Sequence, residues 1–574
     1  MLLPLDGEGA PPLLSQGNPM LQTLPRRAVV ALLALSVFFP IGLVLYQSAL
    51  SGPFFMPHAL SLESYAFIFN DPDFWQAAKN TMAVAIGMSA IAIPLGAILA
   101  FIMVRTDLPG RKWLETPIMI PIFVSPVVLG FGYVVSLGPV GFFSVGFQNI
   151  FGSVPWNIYS MASIIVIAGL THVPHVYLYS SSALRNLGSD VEEAARLSGA
   201  SPFRVARDVS IPMVSPALLY VGVLVFFLGF EIFGLPLILG DPEGHLVLTT
   251  YLYKLTNKLG TPSYHLMAAV ATCIIAVTFP LVLLQRFLLK SAQRFVAMKG
   301  KSARQRPLTL GPWKWVALAL IVAWLFITVI VPVAGIALRS VVSSWGQGIN
   351  LLEVLTLDHF RAVFQEDTMI RAIINSILIG TLGGALAVGC YLAVGLATHR
   401  KNDLISRFID YIVLTPRAVP GLMAGLAVFW VFLFVPFLSP ARSTLFSVWF
   451  AYAIVWLAYG MRLIQSALMQ VGPELEEAGR LVGASRARVS RDITVPLIRN
   501  GLLGAWLLVF MIFEREYSTG VYLLSPGTEV IGAQIVSLWA SGAVDVVAAL
   551  SLINMALVGI GLTVALRFGV KLHD

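Results

Sequence analysis

The chain has 574 residues, 57% of them hydrophobic and only 11% charged, with a mean hydropathy of +0.84 and a net charge of +8. Soluble domains carry about 25% charged residues, so one water-soluble core is excluded and lipid must serve as the solvent. The positive balance calls for no nucleic acid, because basic residues flanking spans beside anionic lipid account for it.

In chain order, residues 1–24 are polar and Pro-rich and read as a tail. The first apolar run, about 28–48, follows Arg26 and Arg27 and reads as an uncleaved first span. Residues 81–104 and 116–184 contain no Asp, Glu, Lys or Arg. At about 20 residues per crossing, the first stretch is one span and the second is two. Apolar windows predict twelve spans in two sixes, near 28–48, 81–104, 114–138, 158–184, 213–239 and 264–289, then 315–338, 371–397, 409–435, 443–468, 497–524 and 543–566. Between the sixes, 290–314 holds Lys290, Arg294, Lys299, Lys301, Arg304, Arg306 and Lys314 and no acid, and reads as a linker. Most of the 37 Lys and Arg fall on the side of the termini and this linker, so the positive-inside rule places both termini in the cytoplasm. Cys273 and Cys390 lie in apolar stretches and read as small hydrophobes, not as a disulfide or a metal pair.

The loop after the fourth span repeats after the tenth. Residues 182–212 read SALRNLGSDVEEAARLSGASPFRVARDVSIP, and 466–496 read SALMQVGPELEEAGRLVGASRARVSRDITVP, identical at 17 of 31 positions at an ungapped offset of 284. Such a match between otherwise dissimilar halves marks a duplicated unit with a shared task. Ser189 and Glu192 have capping-box spacing, and Gly472-Pro473 puts Pro where a first helical residue is tolerated. Glu192 to Arg196 and Glu476 to Arg480 are predicted i,i+4 pairs, and Gly199 and Gly483 predicted left-handed helix caps. A second short helix is expected to carry Arg204, Arg207 and Asp208, matched by Arg488, Arg491 and Asp492, before Pro212 and Pro496 turn into the next span.

The pattern Glu-Ala-(Ala/Gly)-x3-Gly-Ala, followed about a dozen residues later by Pro, resembles the EAA loop of binding-protein-dependent ABC importer permeases. Asn80-Thr81 and Asn375-Ser376, opening the second and eighth spans, are also similar to that family, and the resemblance covers nearly the whole chain. It implies an all-α polytopic membrane protein of two homologous six-helix permease domains, 25–289 with its EAA loop at 185–212 and 315–574 with its loop at 469–496. It further implies that each loop is a coupling helix docking on an ATPase subunit through Glu192, Glu193, Ala194, Gly199, Arg204 and Asp208, and through Glu476, Glu477, Ala478, Gly483, Arg488 and Asp492. The second loop departs at Gly479, which is expected to weaken its helix and make the two docking sites unequal. The implied partners are two ATPase copies, which use ATP and Mg, an extracytoplasmic solute-binding protein and the bilayer of a bacterial inner membrane.

The chain itself is expected to bind no cofactor or metal and to hold no catalytic residue. Its only Gly-Lys-Ser, 300–302, lacks the first glycine of a phosphate-binding loop, since Phe295 stands there. Intramembrane charge is a functional candidate by default, which singles out Glu231, Arg417, Glu514 and Glu516 for the translocation path. Arg515 pairing with a neighbouring Glu to hold the helix is the simpler reading there. His172 and His175 flank Pro174 and are expected to satisfy backbone groups freed by a kink. Matched kinks are expected at Pro121/Pro126 and Pro416/Pro420. On the outer face Lys79, Lys254, Lys258, Arg339, Arg361, Arg371 and Arg442 are candidates to meet acids of a binding protein. The fused length and the segment REYSTGVYLLSPG, 515–527, look most like ferric-iron permeases, with 2-aminoethylphosphonate, thiamine and polyamines as alternatives. An ion-coupled secondary transporter would share the six-plus-six layout but would not need the matched loops.

Overall fold

The computed structural model describes residues 19–568, apart from 55, 187–189, 258–262, 297–306 and 347. Most of the N-terminal tail, Ser189 with its expected capping box, Lys258 and the Gly300-Lys301-Ser302 segment therefore lie outside the described residues. Among the described residues the chain is helical, with isolated bridges in place of strands. Eight helices are long and apolar enough to cross a bilayer, and four bent pairs bring the total to as many as twelve. The unbroken crossings include Arg26–Ser48, Pro72–Arg105, Met161–Arg185 and Tyr264–Leu288 in the first half, and Trp313–Ser340, Asp367–Thr398 and Val544–Arg567 in the second. The sixth helix continues to Val296, into the stretch read as linker.

The breaks have local causes. In the third span the helix Arg111–Phe123 stops and a new one starts at Pro126, with Ser125 extended at φ −60°, ψ 133°. In the ninth, Leu404–Ala418 and Gly421–Phe434 meet at 107°, and Val419 before Pro420 is extended at φ −109°, ψ 112°. A residue preceding proline avoids the helical region because the proline ring crowds it, so both expected kinks become breaks. The fifth and eleventh spans depart further from the hydropathy reading. Their helices end at Glu231 and Arg515 and do not run on through 239 and 524. Tyr517 Oη accepts the Gly234 N–H at 2.9 Å, so the broken end of one half is held by the broken end of the other.

Packing crosses between the halves. Val29, Leu33 and Val37 of the first span lie against Ile379, Tyr391, Ile412 and Ile464 of the second half. The seventh span lies on the first half, where Ser136 Oγ donates to Val331 O at 2.7 Å and Tyr133 Oη to Ile327 O at 3.0 Å. Gly132 permits that approach, since a Cβ there would sit 2.6 Å from Pro332 O. Each half thus lends its leading span to the other.

Candidate functional site

The two repeated loops form short helices, Asp190–Leu197 and Pro473–Leu481, on one face of the molecule. Glu192 and Glu476 turn inward and are almost fully buried. Ser210 Oγ donates to Glu192 Oε1 at 2.7 Å, and Arg105 Nε lies 3.3 Å from the same oxygen. In the second loop Thr494 Oγ1 donates to Glu476 Oε1 at 2.7 Å, joined by His399 Nε2 at 2.9 Å and Arg400 Nε at 2.5 Å. The arginines also brace the chain entering each loop, Arg105 through Leu184 O at 2.8 Å and Arg400 through Val471 O at 2.7 Å. The predicted pairs with Arg196 and Arg480 are therefore replaced. Each glutamate gains more from a charge-assisted bond to its arginine, buried for Arg105 and partly solvated for Arg400, and from a buried hydroxyl than from an exposed i,i+4 partner in water.

Two backbone features aim this clamp. Ala206–Ser210 and Ser490–Thr494 are π turns at equivalent positions, each ending on the hydroxyl residue that reaches the glutamate. Arg400 sits at φ +52°, the one non-glycine among the described residues in the left-handed region. That conformation costs about 1–2 kcal/mol for an L-residue and returns the guanidinium toward Glu476. The sequence held a signal for both arginines. The offset of 295 that relates Asn80-Thr81 to Asn375-Ser376 also relates Arg105 to Arg400.

With the first glutamates withdrawn, the remaining predicted residues face outward. Glu477, Ala194, Ala478, Arg204, Arg488, Asp208 and Asp492 are exposed, and Glu193 is half-buried. Asp208 and Asp492 sit beside Arg207 and Arg491 at 3.8 and 2.7 Å. Gly199 and Gly483 have φ +85° and +86°, as expected of left-handed caps. Gly199 N donates to Arg196 O and Ala200 N to Ala195 O, and Gly483 and Ala484 do the same to Arg480 and Gly479. This is the Schellman arrangement. Beyond the caps, Ser201 and Ser485 accept from Arg204 N and Arg488 N to start the second helices. Leu197, Phe203, Leu481 and Val482 stand exposed around these turns, an apolar surface with charged neighbours.

Gly479 has a packing cause. It is buried, and a methyl there would lie 2.8 Å from Ile493 Cδ1 and 3.1 Å from Val489 Cγ2. The first half has Ala195 and Val209 at these two places. The carbon that isoleucine adds over valine occupies the room that alanine's methyl would need.

A cavity of about 130 Å³ lies where the broken fifth and eleventh spans meet. Glu231, Arg515 and Glu516 line it together with His172, His175 and Trp456. Glu516 is fully engaged by Trp456 Nε1 at 2.9 Å and by the N–H and hydroxyl groups of Ser518 and Thr519. Arg515 donates to Ile122 O and lies over the Trp456 ring. Arg417 is half-buried and is not part of the cavity lining. Glu514 does not join them. It faces away from the cavity against Gly380 and Phe510, and neither of its carboxylate oxygens is hydrogen-bonded. One residue is a 100° turn on a helix, enough to separate it from Arg515.

The histidines stack at 5.2 Å, and His172 Nδ1 meets Ala168 O. The carbonyl that Pro174 frees, Leu170 O, instead accepts from Trp324 Nε1 of the seventh span at 3.3 Å. Among the described residues, no three His, Cys, Asp or Glu side chains are grouped to hold a metal ion.

On the opposite face, Asn80 Nδ2 donates to Leu246 O and Asn375 Nδ2 to Glu529 O, both at 2.8 Å. Thr81 and Ser376 accept from Leu248 N and Ile531 N. The Asn-(Thr/Ser) pairs thus tether the chain where it starts a helix after each break. Of the outer basic residues, Lys254, Arg339, Arg361 and Arg371 pair with the chain's own Asp73, Asp545, Asp358 and Glu529.

The sequence profile of the family described as "Binding-protein-dependent transport system inner membrane component" matches residues 92–294 and 385–572. A relative from Sinorhizobium fredii, "Probable ABC transporter permease protein y4fN", is 25% identical over 84% of this chain and 84% of its own length. The Fe(3+)-transport system permease protein FbpB 2 of Haemophilus influenzae is 22% identical over 79% of this chain and 82% of its own length. The molybdenum transport system permease protein ModB of Escherichia coli is 26% identical over 38% of this chain and 92% of its own length. Less than half of this chain therefore matches nearly the whole of a separate permease.

Proposed function

The chain belongs to the family of binding-protein-dependent transport system inner membrane components and is an ABC importer permease, and from that premise we propose that each of its halves receives one ATPase subunit on its repeated loop. The observation that carries this reading is the duplicated clamp. It fixes two helix–Gly–helix elements rigidly to the ends of the second and eighth spans while leaving Glu193, Glu477 and the apolar residues around them presented outward. An ATPase that closes on ATP and Mg would pull on these elements, and the arginines would pass the motion into the spans. The loop face is then cytoplasmic, with both termini on that side, and the binding protein delivers solute to the opposite face.

The cavity where the two broken spans meet marks the path in this reading. Glu516 is taken by its own neighbours, so Glu231 is the carboxylate offered to a solute. Ferric iron is the proposed solute, supported by the ferric relatives and by the resemblance of 515–527. The test is solute-stimulated ATP hydrolysis in liposomes holding this chain, its ATPase and its binding protein. Glu193→Ala with Glu477→Ala should lower stimulated hydrolysis and uptake on the order of tenfold while the chain stays folded. Unchanged coupling would remove these two acids from the docking contact. Run with ferric iron, 2-aminoethylphosphonate, thiamine and a polyamine in turn, the same assay identifies the solute, and stimulation by any but iron overturns that choice.

A further inference from the structure

On the loop face of the first half, the ends of the second and fourth spans and the start of the third enclose a cavity of about 240 Å³. Arg111, Lys112 and Arg185 stand in its wall beside the apolar Met103 and Val104. Glu115 is the one acid in the lining and is ion-paired with Arg185. The wall thus carries a surplus of positive charge against apolar carbon.

The second half has a different solution at the same place. The offset of 295 puts Ser406 and Arg407 where Arg111 and Lys112 stand. There Arg26 of the first span reaches in, donating to Ser406 Oγ at 2.8 Å and to both oxygens of Asp403. The protein's own ion pair fills the second-half position. On the first half the linker instead lies against the turn before Arg111, where Leu310 N donates to Asp107 Oδ1 at 2.8 Å. Trp113, next to Lys112, and Trp313 and Trp315, shortly after Leu310, are 86%, 69% and 60% exposed. Exposed tryptophan is the side chain of the headgroup level of a bilayer.

We propose that this cavity binds a phosphate-bearing anion, the headgroup of an anionic phospholipid from the leaflet on the loop face. Arg111 and Lys112 supply donors and charge to the phosphate, and Met103 and Val104 supply the surface for the first methylenes of the lipid. The apolar lip and the exposed tryptophans in the flanking segments favour a lipid over a soluble phosphate ester. The occupant would sit against Arg185, at the end of the span that feeds the first loop, and next to the helix end that carries Arg105. It would therefore steady the first clamp and not the second.

The experiment titrates the full chain in detergent with phosphatidylglycerol or phosphatidylcholine and counts bound lipid by native mass spectrometry. The chain should hold one phosphatidylglycerol on the order of tenfold more tightly than phosphatidylcholine. Arg111→Gln with Lys112→Gln should lose that preference, and Arg407→Gln at the second-half position should keep it. Equal phosphatidylglycerol binding by the parent and the double variant overturns the proposal, as does an equal loss in Arg407→Gln. Binding of glycerol phosphate that depends on Arg111 and Lys112, without matching phosphatidylglycerol binding, overturns the lipid assignment. A photoactivatable phosphatidylglycerol on the unsubstituted chain reads the site independently of any variant's folding. Crosslinks within 103–115 or 177–185 support the proposal, and crosslinks confined elsewhere overturn it.

Discussion

Glu192 and Glu193 are adjacent in sequence and opposite in environment, as are Glu476 and Glu477. The first of each pair holds the loop to the bundle, and the second is presented outward. Removing charge from the inner residue therefore acts on stability. Glu192→Gln should cost about 3 kcal/mol, because it leaves Arg105 buried without its carboxylate. Glu476→Gln should cost about 2 kcal/mol, since Arg400 is partly solvated and the surviving amide still accepts. Thermal unfolding of the purified chain measures both. Burial works to raise the Glu476 pKa, but hydrogen bonds from Thr494, His399 and Arg400 outweigh it and hold the carboxyl below its ordinary value of 4.5. A depressed carboxyl contributes stability that is complete above its unfolded pKa and lost as pH falls through the folded one. Proteolysis of the second loop should accelerate as pH falls below 4.5 and through the depressed folded value, and Glu476→Gln should remove that dependence on acid.

Gly479→Ala offers a sharper test at this scale. It should destabilise by about 1–2 kcal/mol through overpacking, and Ile493→Val should restore most of the loss. Additive effects in that double-mutant cycle would refute the packing explanation. The repeat was legible in the sequence because both copies stand in one ungapped stretch. Its anchors were not, because Arg105 ends its helix and Arg400 lies just past the end of its own, where each reads as an ordinary basic flank of a span. They surface only when the Asn80 to Asn375 offset is carried along the chain.

At the scale of elements, prolines announced the breaks at 124–125 and 419–420, since proline acts on its own backbone and on the residue before it. The break after Arg515 left no such mark, and after Glu231 the proline, Pro236, lies inside the helix that follows the break. The segment GFEIFGLP is apolar enough to pass for a continuing helix, and its broken end is met by a partner distant in sequence. Tyr517→Phe removes the acceptor for the buried Gly234 N–H and should cost about 1–3 kcal/mol. The loss should appear in thermal unfolding and as faster hydrogen exchange at Gly234. An unchanged exchange rate would mean that the break holds without its partner. Glu514 illustrates the same limit of sequence reading. Three consecutive charges, Glu514, Arg515 and Glu516, look equivalent along the chain, yet the helix sends Glu514 to the other side from the cavity.

For the whole molecule, the halves are two by sequence repetition and one by packing. The leading span of each half lies on the other, and the broken spans meet at the central cavity. A chain cut within 297–306 and expressed as two pieces should reassemble, because the cut spares every contact between the halves described here. Either piece alone should give no monodisperse species on gel filtration. A stable, monodisperse single half would show that the exchanged spans contribute little.

The exchange of leading spans also has a consequence for synthesis. Arg26–Ser48 is made long before one of its packing partners, the helix that ends at Phe434. The ribosome must add roughly four hundred residues in between, which takes about 20–80 s at 5–20 residues per second. Until then the helix can pack only on its own half, chiefly on Tyr264–Val296, and the ion pair between Arg26 and Asp403 is the latch that closes when the rest of its berth arrives.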